Sequence, residues 1–192
     1  MKNRDYSRVY RIMHWAIAFC MLFIMLTVFL RLTWMNKNNV SDIIQEFLSS
    51  NDQSMPVDDS VVLAKKIRKP MFVWHIYTGY VLVGLYALRL ILPLFGEMKF
   101  PNPFKSGLSF KEKFQCWVYL IFYVGLTGSL FTGMMIEFGP DSVHELMEEI
   151  HVLSIYYVIA FMILHFAGVL IAEFTDENGI ISRVISGKRT LK

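Results

Sequence analysis

The chain has 192 residues, 55% of them hydrophobic, with a mean hydropathy of +0.43 and a formal net charge of +3. This composition excludes an ordinary soluble domain of the same size and predicts a membrane protein. The small positive charge forms no basic stripe interleaved with aromatics, so it gives no ground for nucleic-acid binding.

A helix needs about 20 apolar residues to cross a bilayer, and four stretches reach that length, roughly 15–33, 72–94, 114–136 and 150–172. They predict an all-α fold, a single domain over 1–192 that forms an integral membrane four-helix bundle with a long outer loop between helices 1 and 2. The first stretch follows basic residues as the apolar part of a signal peptide would, but it has no small-x-small cleavage site and reads as a retained anchor. Lys2, Arg4, Arg8 and Arg11 precede it, Lys99, Lys105, Lys111 and Lys113 lie between the second and third spans, and Arg183, Lys188, Arg189 and Lys192 follow the fourth. The third connection holds only acids, Glu137, Asp141, Glu145, Glu148 and Glu149. The positive-inside rule then puts both termini and the second connection in the cytoplasm.

In chain order, the first span opens with Arg11-Ile-Met-His14-Trp15, which sets His14 about one turn inside the cytoplasmic boundary with Arg11 one turn below it. Arg11 also suits a cytoplasmic anchor, and Trp15 an interfacial aromatic. The outer loop, residues 34–70, is expected to hold two short helical stretches. One is capped by Ser41 and presents Ile43, Ile44, Phe47 and Leu48 on one face; the other, 60–68, is stopped by Pro70.

The second span carries His75 near its outer end and Arg89 fourteen residues later, on the same face at the depth of His14. A guanidinium there suits a haem propionate, or snorkels from a helix end. Gly79, one turn from His75, leaves room for a flat ring. The third span has no histidine but is rich in small residues, Gly125, Thr127, Gly128, Ser129, Thr132 and Gly133, which suit close approach of a helix or a macrocycle.

The fourth span carries His151 and His165. On an unbroken helix fourteen residues fall roughly 40° short of four turns and rise about 21 Å, so the two imidazoles share a face at two depths. His144, among acids, reads as a solvated loop histidine.

The topology therefore pairs His14 with His165 in the inner leaflet and His75 with His151 in the outer. Ionisable side chains in hydrocarbon mark functional sites, and two opposed histidines from different helices make a six-coordinate b-type haem site. Without C-x-x-C-H the haem is held non-covalently. Zinc would need three or four ligands around one ion, Cys20 and Cys116 are too few for an iron-sulfur cluster, and a proton-relay transporter would need carboxylates between the ends of the spans, where there are none.

Arg11-x-x-His14-Trp15, His75-x3-Gly79 with Arg89, His151-x13-His165 and the tail Ile181-Ser-x-x-Ile185-x-Gly187 together resemble the prokaryotic cytochrome b561 superfamily, which includes the b-type cytochrome subunits of nickel-iron hydrogenases and formate dehydrogenases. The resemblance implies two haem b groups in a bacterial inner membrane, exchanging electrons with quinone. It implies His14 and His165 as axial ligands of the inner iron and His75 and His151 as those of the outer. The expected function is electron transfer between the quinone pool and a periplasmic-side redox protein or a dehydrogenase or hydrogenase subunit. Arg11, Ser109, Lys113 and Gln115 mark the expected quinone mouth. Two other readings stand beside it, a stand-alone superoxide:quinone oxidoreductase that attracts its anion through Lys65, Lys66, Arg68 and Lys69, and a haem-free transporter or assembly factor.

Overall fold

The computed structural model describes residues 6–175 and 179–187; the predicted cytoplasmic charges Lys2, Arg4, Lys188, Arg189 and Lys192 lie outside the described residues. It is 82% helix with no strand among the described residues. The α-helices are α1 (Arg8–Leu32), α2 (Lys37–Ser50), α3 (Val57–Ile91), α4 (Phe110–Phe138), α5 (Asp141–Val152), α6 (Ser154–Phe174) and α7 (Ile180–Ser186), with a 3-10 turn, Leu92–Phe95, after α3.

Four helical stretches, Arg8–Leu32, Val57–Phe95, Phe110–Phe138 and Asp141–Phe174, are long and apolar enough to cross a membrane. Their large apolar side chains, Phe19, Ile121, Val124 and Ile163 among them, point outward and are exposed. Each would be penalised in water at about 25 cal/mol per Å² of apolar surface, a penalty that lipid removes.

Contacts within the chain form two compact units, 16–85 and 1–15 with 86–192. In the first, the expected outer loop is largely helix. The cap of α2 is Asn36, whose side chain accepts from the Asn38 N–H at 3.0 Å, and not Ser41. Ser41 is instead buried and bonded at 2.6 Å to the hydroxyl of Ser60 in α3. Ser60 gives its own proton to the Val57 carbonyl, so Ser41 is the donor, and the pair ties α2 to the start of α3.

Pro70 does not stop the second stretch: α3 runs through it from Val57 to Ile91. A proline inside a helix removes one backbone donor and crowds the preceding turn. Asp58 and Asp59 in the first turn and the fully buried Ala64 hold the helix on the N-terminal side of that defect.

In the second unit α4 starts at Phe110 behind a capping box, with Ser109 and Glu112 each bonded to the other's backbone. The fourth span is divided at Leu153 between α5 and α6. Leu153 keeps right-handed helical angles, but its N–H bonds to the Ile150 carbonyl and the Tyr156 N–H bonds to its own, a tightened i to i+3 turn. The unbroken-helix arithmetic that put His151 and His165 on one face is therefore interrupted between them. His144, expected in a loop, lies in α5, where it is exposed.

Candidate functional site

Two of the four candidate histidines lie near each other. His14 on α1 and His165 on α6 have ring centroids 6.1 Å apart with planes at 42°. Two imidazoles brought this near from different helices would hold a haem iron between them. The spacing therefore fits a metal held between the two rings. Gly168 follows His165 by one helical turn, and a Cβ added to it would meet nothing within 4 Å. Tyr10 stacks on His14 at 6.2 Å, and Phe161 on His165 at 5.5 Å.

Arg89 does not snorkel: it is 5% exposed. Its guanidinium lies 4.8 Å from the centre of the Phe100 ring and 5.2 Å from that of Tyr123, and its Nη1 is buried without a hydrogen-bond partner among the described residues. Burying a cation costs several kcal/mol unless an anion accompanies it, so the cradle fits a carboxylate.

The other two histidines are each held by a hydroxyl. Nδ1 of His75 lies 2.8 Å from Oγ1 of Thr27 on α1. Nδ1 of His151 lies 3.1 Å from both the Ser129 carbonyl and Oγ1 of Thr132 on α4. Thr27 and Thr132 are themselves buried. Second partners of this kind, bonded to the far nitrogen of an imidazole, orient a metal-binding histidine.

A family model, prokaryotic cytochrome b561, matches residues 5–187. The chain belongs to the prokaryotic cytochrome b561 family. It is a multi-pass membrane protein that binds b-type haem and transfers electrons, which sets the haem-free reading aside. No curated protein and no solved structure matches it. The donor set suits this cytochrome's cofactor: among the described residues no three of His, Cys, Asp and Glu gather as a metal-ion site would require, whereas a haem needs only axial ligands.

The remaining expected residues have structural engagements of their own. Arg11 donates from Nη1 to the Ile185 carbonyl at 3.0 Å, and Trp15 donates from Nε1 to the Val184 carbonyl at 3.2 Å. Both bonds satisfy carbonyls left over at the end of α7. Glu173 holds the opposite end of α7, accepting from the Gly179 and Ile181 N–H groups at 3.0 and 3.1 Å. Ser109 is occupied by its capping box, and Lys113 and Gln115 lie in the opening turns of α4.

The small residues of α4 act on protein side chains. Gly125 accommodates the Tyr157 ring, which would lie 2.9 Å from an added Cβ. Thr127 bonds the Tyr86 hydroxyl at 2.8 Å. Sequence reasoning missed Thr27, although a single hydroxyl in the middle of the apolar first span is itself a signal, because hydrocarbon offers it no partner.

Proposed function

We propose that this cytochrome carries two haem b groups across a bacterial inner membrane, with both termini cytoplasmic. In this reading it passes electrons between a periplasmic-side redox protein, or a dehydrogenase or hydrogenase subunit, and the membrane quinone pool. The observation that carries the reading is the 6.1 Å separation of the His14 and His165 rings, with each histidine contributed by a different apolar helix.

Haem iron supplies the one-electron redox chemistry; the chain supplies ligands, burial and charge. His14 and His165 are the proposed axial ligands at the inner end. His75 and His151 are the proposed outer pair, on their matching depths in the sequence, and the hydroxyls at their Nδ1 atoms support a ligand role for each. Arg89 is the proposed partner of a propionate. The quinone is proposed to bind at the inner end with Lys113 and Gln115 as polar contacts, while Ser109 keeps its place at the start of α4. Arg11, whose Nη1 is bonded to the Ile185 carbonyl while its Nε is buried without a partner among the described residues, is proposed beside the inner haem and the quinone.

The test is to mix the oxidised, haem-loaded protein with a short-chain quinol and follow haem absorbance. Reduction that is slowed in Lys113→Ala and Gln115→Ala is the expected result. A protein whose haem stays oxidised in excess quinol would contradict the quinone assignment.

A further inference from the structure

Lys65, Lys66, Arg68 and Lys69 crowd together on α3, which has no acid after Asp59. Two of them open a groove. Lys66, Lys69, Pro70, Val73, Trp74 and Tyr77 recur three or four residues apart, which sets them in one stripe along the helix. They line a groove of about 440 Å³ on its surface. The stripe is graded along its length. Both lysines, at its N-terminal end, are exposed. About two turns below Lys66, Trp74 and Tyr77 are exposed as well and meet edge to face with ring centroids 6.3 Å apart. Ammonium groups followed by an indole and a phenol match the layers of a membrane surface, with charge in the water and amphipathic rings among the headgroups.

Pro70 adds what charge alone does not supply. It has no N–H, so the carbonyl of Lys66, four residues earlier, loses its helical donor. Lys66 and Pro70 both line the groove, which puts this acceptor beside the two ammonium groups. At a membrane surface such a carbonyl has to be met from outside the helix. The groove thus suits a molecule with three parts: an anion to face the lysines, a hydroxyl to donate to the carbonyl, and an apolar body to lie along Val73, Trp74 and Tyr77.

We propose that this groove binds an anionic phospholipid with a hydroxyl-bearing headgroup, of the phosphatidylglycerol class. Its phosphate accepts from Lys66 and Lys69, its headgroup hydroxyl donates to the Lys66 carbonyl, and its acyl chains follow the apolar length of α3. A headgroup that ends in an ammonium could also donate to the carbonyl, but the two lysines repel it.

The experiment is native mass spectrometry of the detergent-released, haem-loaded protein, equilibrated with equimolar phosphatidylglycerol and phosphatidylmethanol of the same acyl chains. Bound haem is read in the same ions. The two lipids carry the same charge and differ in the headgroup hydroxyls. The wild type is expected to retain phosphatidylglycerol about fivefold over phosphatidylmethanol, the worth of one hydrogen bond. Pro70→Ala returns a helical donor to the Lys66 carbonyl and favours the helix; it is expected to take both lipids equally. Lys66→Gln combined with Lys69→Gln is expected to weaken both lipids about fivefold per charge removed, with haem retained. Excess inorganic phosphate is expected to leave the lipid in place. A wild type that treats the two lipids alike, or a preference that survives Pro70→Ala, would overturn the proposal, as would undiminished lipid retention in the double lysine variant. Displacement by inorganic phosphate would make the groove a free-phosphate site and overturn the lipid assignment.

Discussion

The His151 ring lies against the backbone of Gly133, so that a Cβ added to Gly133 would stand 3.1 Å from Cε1 of the imidazole. The glycine thus makes room for the ring, and Ser129 and Thr132 of the same helix hold its Nδ1. Alanine requires the ring to give by a few tenths of an ångström; leucine displaces it. Gly133→Leu is expected to lose about half the bound haem, and Gly133→Ala to keep it. The haem-to-protein ratio of the purified variants checks this.

Arg89 is a buried cation between two aromatic rings. Arg89→Leu removes a buried positive charge and is expected to lower the potential of the haem whose propionate it is proposed to meet by about tenfold in its one-electron equilibrium, about 59 mV. Arg89→Lys, a point charge without the planar fork, recovers part of that shift. A redox titration reads both. A titration of Arg89→Leu that matches the wild type would remove the guanidinium from any role at the haem.

Gly187 ends α7 with φ of 80°, and a Cβ there would lie 2.8 Å from Cζ of Arg11. Gly187→Ala therefore carries a left-handed backbone penalty of about 1–2 kcal/mol and pushes Arg11 off the Ile185 carbonyl. The expected outcome is faster tryptic cleavage after Arg183, with the haem count unchanged. Arg11→Ala is expected to give the same proteolytic phenotype.

The four long apolar helices and the nearness of His14 to His165 were legible in the sequence because hydrocarbon imposes its demands locally. An apolar run of the right length spans, and an ionisable side chain within it requires a partner. What the sequence concealed depends on which element lies beside which. Ser41 reads as a helix cap by residue type, but its place in the fold makes it the partner of Ser60. Ser109 reads as a polar residue near a cofactor, although Ser109-x-x-Glu112 is also a helix-start pattern. Pro70 reads as a stop because proline opposes helix, yet the flanking turns hold α3 through it. The turn at Leu153 has no glycine or proline to announce it, so the spacing between His151 and His165 was read on an unbroken helix. Thr27 becomes a partner of His75 only once α1 lies beside α3.

The central claim is that paired histidines hold two haems, and the most direct measurement is a pyridine haemochrome count on wild type, His75→Ala and His165→Ala, with a dithionite-reduced minus oxidised spectrum of each. The account predicts two b-haems per chain in the wild type and about one in each variant, with different haems lost, so that the two residual spectra are distinct and sum to the wild-type spectrum. One haem in the wild type, or the same haem lost from both variants, would contradict it.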